Sequence, residues 1–442
     1  MIITRFAPSP TGFLHIGNLR TAIFNFLATR KEGGEFILRL DDTDQSRSKK
    51  EFIDQIKEDL NWIGIFWDKE FSQSNRIKRY DFIKKELVEM GRVYECFETP
   101  TELDLKRKKL LNIGRPPVYD RASLKLSENE KEKLRSEKPS YWRFKLNNEV
   151  VEWKDSILGN QTINPSSVSD PVIVKADGQY LYTLASVVDD IDYGVTDIIR
   201  GSDHVTNTAV QIQIFEALSK SVPKFGHHSL LIDLDGKALS KRDGSLNLKN
   251  LKNSGIEPMA IVSLLVSLGS ANVIELYKDF KDIFEIFDLS SLSKAPAKLN
   301  ISSLKSLSQK AVQELPISEV EDYIFSIGVP KDLSRNFWDM AKENISTKND
   351  MEELWKICKR DVQLDKTDPD YEFLQKAFSL LKDFYKESEP WKLWTEKVKK
   401  VSKRKGKELY LPLRYALTGS NSGPDMNKLL PIMLLNNLQI IE

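Results

Sequence analysis

The chain is poor in cysteine. It has two in 442 residues, Cys96 and Cys358, with no pairing pattern. That excludes a disulfide scaffold and an all-cysteine structural zinc site. Net charge is nearly absent, because 65 Asp and Glu cancel all but one of 66 Lys and Arg, leaving +1. Attraction to a nucleic acid must then come from local patches, not from a whole-molecule field. Long apolar runs are missing as well. The longest, 260–268 and 429–435, fall far short of the about 18 residues that a membrane span needs. The opening Met1-Ile2-Ile3-Thr4-Arg5 meets an arginine before an apolar core can form. No secretory leader is expected, and a cytoplasmic location is. No repeat period and no low-complexity tract stands out.

What is present is an ordinary globular composition, 40% hydrophobic and 30% charged. Its length allows about three domains of about 150 residues each. Ile2-Ile3-Thr4-Arg5-Phe6 reads as a strand, and Pro8-Ser9-Pro10-Thr11-Gly12 stops it. Leu19, Ala22, Ile23, Phe26 and Leu27 then recur at helical spacing. Phe36-Ile37-Leu38-Arg39-Leu40 is a second strand, followed at once by Asp41-Asp42-Thr43-Asp44. A strand–helix–strand unit of this length predicts a parallel crossover. Residues 95–170 read as an insertion. It holds a charged helix at 104–109, a solvated charged stretch at 127–138, and strands at 141–146 and 150–154. Beyond about 245 the pattern is leucine-rich and helical.

Two short motifs carry chemistry. His15-Ile16-Gly17-Asn18 stands at the mouth of the first helix. Glycine permits close backbone approach, helix N-terminal amides attract anions, and an imidazole can donate to a phosphate. More than 200 residues later comes Asp235-Gly236-Lys237-Ala238-Leu239-Ser240-Lys241-Arg242. It places two flexible cations beside a hydroxyl on a loop able to neutralise charge that builds on a polyphosphate. Either motif alone could be a turn histidine or a solvated basic loop.

Together they resemble the two signature sequences of class I aminoacyl-tRNA synthetases. The run from Arg5 to Gly17 resembles the opening of bacterial glutamyl-tRNA synthetases. So do Arg39-Leu40-Asp41-Asp42-Thr43-Asp44, the stretch from Tyr182 to Asp190, and Ile199-Arg200-Gly201-Ser202-Asp203-His204. Leu413-Arg414-Tyr415-Ala416-Leu417-Thr418-Gly419, near the C-terminus, is also similar. The resemblance implies an α/β fold: a Rossmann-type class I synthetase catalytic domain with an α/β insertion, followed by an all-α anticodon-binding domain. The implied boundaries are 1–95 and 170–245 for the split catalytic domain and 96–169 for an acceptor-arm-binding insertion. A stem-contact region follows at 246–300, and the anticodon-binding domain at 301–442. The implied activity is glutamate–tRNA ligase: ATP activates L-glutamate to glutamyl-adenylate, which is then transferred to the 3' end of tRNA(Glu), and of tRNA(Gln) in some members.

The same resemblance implies roles. His15 and Lys241 would be catalytic. His15, Gly17, Asn18, Asp203, Leu231, Ser240 and Lys241 would bind ATP, which is expected with Mg²⁺. Arg5, Ala7, Ser9, Asp41, Tyr182, Ser186 and Arg200 would line the glutamate site. Asp41 stands where the family commonly has glutamate, Asn18 where it has a second histidine, and Ala238 where it has the first signature lysine. Some relatives carry zinc in the insertion, starting with Cys-x-Cys. Here Cys96-Phe97-Glu98 lacks the second thiolate, so no zinc is expected and Cys96 reads as a small buried residue. Residues 397–407 hold seven cations and no acid, a candidate phosphate-contact patch. Trp391 and Trp394 read as core. A monomer is expected, with tRNA as partner and no membrane. The alternatives are a glutaminyl-tRNA synthetase, whose opening has a Pro-Glu-Pro loop instead of Pro8-Ser9-Pro10, and a catalytically silent tRNA-binding paralogue. Retention of His15, Gly17, Ser240 and Lys241 weighs against the latter.

Overall fold

The computed structural model describes residues 1–237, 239, 246–271 and 273–441. It divides into two compact units: residues 1–251 with 262–300, and residues 252–261 with 301–442.

The first unit opens as expected. β1 (Ile3–Phe6) is followed by α1 (Ile16–Lys31), β2 (Glu35–Leu40), α2 (Lys50–Ile63) and β3 (Lys69–Ser72). The three strands pair in parallel in the order β1-β2-β3. α1 is buried over most of its circumference, from Ile16 to Thr29, with the polar Arg20, Asn25 and Thr29 among the buried residues. That pattern fits a helix covered on more than one side. Next come α3 (Ile77–Glu89), β4 (Val93–Cys96), α4 (Pro100–Asn112) and α5 (Glu128–Glu137). β5 (Tyr141–Phe144), β6 (Val151–Asp155), β7 (Gly159–Ile163) and β8 (Val172–Val174) follow. β4, β5 and β8 form an antiparallel sheet, and β6 and β7 a hairpin. The expected insertion boundary at 95/96 therefore falls inside β4, and β8 lies beyond 169. Antiparallel pairing with β5 draws both flanks into one sheet. This sheet shares a core with α3 and the helices that follow, through Tyr80, Leu87, Val93, Phe144, Ile173 and Leu184.

The unit continues with α6 (Tyr182–Asp192), β9 (Asp197–Gly201), α7 (Val205–Ala217) and β10 (Lys224–His228). β9 and β10 are parallel. Thr196 stitches them to β1: its N–H donates to the Ile3 carbonyl at 2.9 Å, and its hydroxyl accepts the Ile3 N–H at 2.8 Å. From α1, Asn25 donates to the Ile199 carbonyl at 2.9 Å, which seats that helix across β9.

The second unit is built from short helices, among them Ile301–Glu314, Ser334–Ala341, Asp350–Cys358, Tyr371–Ser379, Pro390–Ser402, Lys407–Thr418 and Met426–Leu435. Their apolar faces meet in one core that includes Trp355, Trp394, Leu413, Leu417, Leu429 and Met433. Trp391 and Trp394 are buried in it, and the Trp394 Nε1–H donates to the Ala377 carbonyl at 2.8 Å. The 127–138 stretch, read as solvated, is α5. It is capped by Ser127 and Glu130 in a reciprocal box and buries no residue. Local capping makes it a helix despite its polar surface all round. No helix among the described residues is long and apolar enough to cross a membrane.

Candidate active site

The first motif caps α1. His15 has extended backbone, and its Nδ1 accepts the Gly17 N–H at 3.1 Å. A neutral ring then carries its proton on Nε2, the atom able to donate to an anion. A Cβ at position 17 would lie 2.9 Å from His15 Cε1, so glycine lets the imidazole fold over the helix mouth. Asn18 is half-buried in the first turn of α1.

The residues that follow the second motif pair with the first. Asn247 forms an antiparallel bridge with His15, and the Leu248 N–H donates to the Leu14 carbonyl at 2.9 Å. Upstream, Asp233 closes a turn at Gly236, whose φ is +84°. The Lys237 N–H donates to the Asp233 carboxylate at 2.8 Å. Ala238, Ser240 and Lys241 lie outside the described residues. Leu231 is buried at the start of this segment, and Asp203 is exposed in the turn after β9.

The expected amino-acid residues meet at the carboxyl ends of β1, β2 and β9, where open α/β sheets bind ligands. Arg5 is buried, and its Nε donates to Asp190 Oδ1 at 3.1 Å. Asp41 follows β2 directly, and its N–H donates to the Pro8 carbonyl at 3.0 Å. Ala7 is half-buried and Ser9 exposed on that same loop. Arg200 is buried near the end of β9 and donates to Tyr182 Oη at 3.1 Å. The Arg5 charge is felt at Asp41, at Arg200 and at His204. Ser186 is brought close through its backbone, whose carbonyl accepts from Arg39 at 3.4 Å. Its hydroxyl is spent on the Tyr182 carbonyl at 2.6 Å.

Sequence reasoning missed the side chain that ties these together. Arg39 Nε and Nη2 grip Asp41 at 2.7 and 3.2 Å, and Nη1 donates to Asp190 at 2.8 Å. Burial disfavours the Arg39 charge, but Asp41, Asp190 and Asp189 outweigh it and raise the pKa. At Asp41 burial wins over the attraction of Arg39 and pushes the carboxyl up to about 6. Asp189, raised by burial, is held by Gln73, Arg76 and Tyr80. A carboxylate on an apolar helix face was the available signal, since Asp189 and Asp190 follow five buried residues of α6. Burial lowers the Arg200 pKa, and its hydrogen bonds all go to neutral partners: Tyr182, Thr208 and His227.

Zinc does not fit the insertion. Glu98 already accepts from Tyr119 at 2.7 Å, Ser123 at 3.1 Å, Tyr141 at 3.2 Å and Lys106 at 3.2 Å. These donors overcome burial and hold its carboxyl at about 2. Cys96 is buried beside them, with its thiol pushed up by burial. One thiol and one saturated carboxylate do not make the four-ligand N/S set of structural zinc. In the second unit, Lys399, Lys400, Lys403 and Lys405 line a cavity of about 570 Å³ with Glu396. Arg404 instead pairs with Asp370 at 2.5 Å and covers the Phe373 ring at 4.0 Å.

Fold and site together define a class I aminoacyl-tRNA synthetase. Residues 1–306 match the family described as tRNA synthetases class I (E and Q), catalytic domain. The chain is 52% identical to glutamate–tRNA ligase 1 of Ruegeria pomeroyi, over 98% of each chain. It is 53% identical to glutamate–tRNA ligase 2 of a second Ruegeria species, with the same coverage. The crystal structure of a glutamate tRNA ligase from Elizabethkingia meningosepticum, in complex with its amino acid, superposes with a TM-score of 0.85. It is 26% identical and covers 98% of this chain and 97% of that one. The chain belongs to the bacterial glutamate–tRNA ligase family.

Proposed function

We infer that this chain is a glutamate–tRNA ligase. One glutamate carboxylate oxygen attacks the α-phosphorus of ATP, pyrophosphate leaves, and a mixed anhydride of glutamate and AMP remains. The 3'-terminal hydroxyl of tRNA then attacks the glutamyl carbonyl and releases AMP. The observation that carries the reading is the nearness of Arg5 to both Asp41 and Arg200 at the strand ends, in a chain half identical along its length to glutamate–tRNA ligases.

Residue roles follow from chemistry. The arginines suit the glutamate carboxylates, because a planar guanidinium donates two parallel bonds. Asp41, with Ala7 and Ser9 on the adjoining loop, suits the α-ammonium group, and Tyr182 and Ser186 border the pocket. His15, Gly17 and Asn18 serve the ATP phosphates, and Asp203 and Leu231 the adenosine. Ser240 and Lys241 serve the α-phosphate as charge develops. ATP enters as its magnesium complex, and no zinc is required. In the proposed division, the insertion takes the acceptor arm and the region 246–300 the stem. The helical unit then takes the anticodon, with the 397–407 cations on phosphates. The enzyme acts as a cytoplasmic monomer. Charging both purified tRNA(Glu) and tRNA(Gln) with radiolabelled glutamate tests the activity and the breadth of its tRNA choice. Failure to charge either would overturn the reading.

A further inference from the structure

β6 ends in a fully buried aspartate, Asp155, seventy-two residues from its partner, the equally buried His227 of β10. The hairpin lies within the expected acceptor-arm insertion, while His227 lies under the amino-acid pocket. Asp155 Oδ1 accepts three backbone N–H groups: Ile157 at 3.0 Å, Leu158 at 2.9 Å and His227 itself at 3.0 Å. Its Oδ2 meets His227 Nδ1 at 2.5 Å. A carboxylate so committed can only accept, so the ring proton sits on Nδ1 and Nε2 keeps its lone pair. Burial and the nearby Arg200 charge keep the ring from taking a second proton.

His227 Nε2 therefore accepts. It faces Arg200 Nε at 3.3 Å and the Thr208 hydroxyl at 2.9 Å. Thr208 in turn accepts from Arg200 Nη2 at 2.7 Å, and Tyr182 accepts from Nη1 at 3.1 Å. Three of five guanidinium donors are thus fixed on neutral acceptors in three directions, and one N–H on each Nη remains. With the opposite tautomer, Nε2–H would donate to the nearer Thr208 hydroxyl, and Arg200 Nε–H would face a donor instead of an acceptor. That would force the guanidinium to turn.

We propose that Asp155 and His227 are positioning residues for substrate binding: Asp155 sets the His227 tautomer, and His227 sets the orientation of Arg200 toward the substrate carboxylate. The proposal rests on the reading of Arg200 as a glutamate contact. A hairpin of the insertion thereby reaches the amino-acid pocket through a single imidazole.

The test uses the full-length enzyme in tRNA charging. Asp155→Asn preserves shape, but its amide donates to Nδ1 and inverts the tautomer, as an asparagine does beneath a catalytic histidine. The KM for glutamate should rise by about 100-fold, the loss a small misplacement produces, while the KM for ATP holds. Nitrogen-15 spectra should show the Nδ1–H form of His227 in the wild type and the Nε2–H form in the variant. His227→Gln, whose amide oxygen can face Arg200, should raise the glutamate KM far less than His227→Leu. Arg200→Lys separates the two levels. An unchanged glutamate KM there overturns the reading of Arg200 and the proposal with it. A raised KM there with an unchanged one in Asp155→Asn overturns the proposal alone. An Nε2–H tautomer in the wild type overturns it whether or not any variant folds. So does equal loss in the Gln and Leu variants with glutamate and ATP constants moving together.

Discussion

Arg39→Lys is the most informative single change in the pocket. The guanidinium makes three charge-assisted bonds in different directions, at 2.7 and 3.2 Å to Asp41 and 2.8 Å to Asp190. A lysine ammonium keeps the charge but cannot hold both carboxylates with that geometry. A hydrogen bond to a charged group contributes about 1.5–3 kcal/mol, and one pKa unit corresponds to about 1.4 kcal/mol. Losing one bond on Asp41 should therefore raise its pKa by at least about one unit, from about 6 to neutrality or above. In the role proposed for Asp41, opposite the α-ammonium group, glutamate binding wants it ionised. In the wild type, kcat/KM for glutamate should fall about tenfold per pH unit below that pKa. In Arg39→Lys the acid limb should move upward, so the loss is severe at pH 7 and partly relieved at pH 8. Stability runs the other way. A carboxyl whose folded pKa is raised contributes stability at low pH, below its unfolded value, and loses it as pH rises through the folded pKa. The variant should thus gain relative stability in acid while losing activity there. An acid limb that stays where it is, or an equal loss at every pH, would refute the assignment of Asp41.

Four shorter expectations follow. Lys241→Ala should reduce glutamyl-adenylate formation by about 10²–10³-fold while tRNA affinity stays nearly unchanged; wild-type pyrophosphate exchange would remove Lys241 from the chemistry. Arg5→Ala removes one of the two arginines on Asp190 together with the proposed ligand contact, so the glutamate KM should rise and the preference over glutamine narrow, measured by competitive charging. Pyrophosphate exchange should need tRNA, since the correct partner completes the site; brisk exchange without it would count against this gate. Elemental analysis of chelator-free protein should find no stoichiometric zinc, because Glu98 is already saturated by hydroxyl and ammonium donors.

The parts of the site that lie in runs of sequence were legible. Arg5 to Gly17 and Arg39 to Asp44 run off strand ends, so their placement follows from the local pattern. The strand–helix–strand opening was legible for the same local reason: a stop at Pro8 and Pro10, then one helical period. What escaped reading depends on long-range closure. Arg39 meets Asp190 across 151 residues, and Asp155 meets His227 across 72. Asp155 and His227 carry no local pattern that distinguishes them from surface groups, and the one signal at Asp190, its place after buried residues of α6, does not name Arg39 as its partner. Strand pairing was not legible either: β5 pairs with both β4 and β8, on either side of the expected insertion edges. α5 passed as a solvated stretch because it offers no apolar period, although its capping residues Ser127 and Glu130 were in plain view.

With the roles proposed above, the charges counted as a set also give a reason why the substrate should be an acid. Asp189 is offset by Arg76, at 2.6 Å. That leaves Arg5, Arg39 and Arg200 against Asp41 and Asp190, with Asp190 Oδ1 shared by two of the arginines. The balance is one positive charge, and it belongs to Arg200, whose bonds go only to neutral groups. An uncompensated buried charge costs several kcal/mol. Glutamate at neutral pH carries two carboxylates and one ammonium, a net −1 that closes the account. Glutamine is nearly the same shape but carries no net charge, so it would dehydrate the pocket and leave the surplus standing. Discrimination on this view comes less from contacts made to glutamate than from the penalty left behind by its amide. It depends on Arg200 staying charged although burial lowers its pKa. Neutral acceptors on three sides achieve that, since they hold the guanidinium in place without supplying the negative charge that the substrate has to bring.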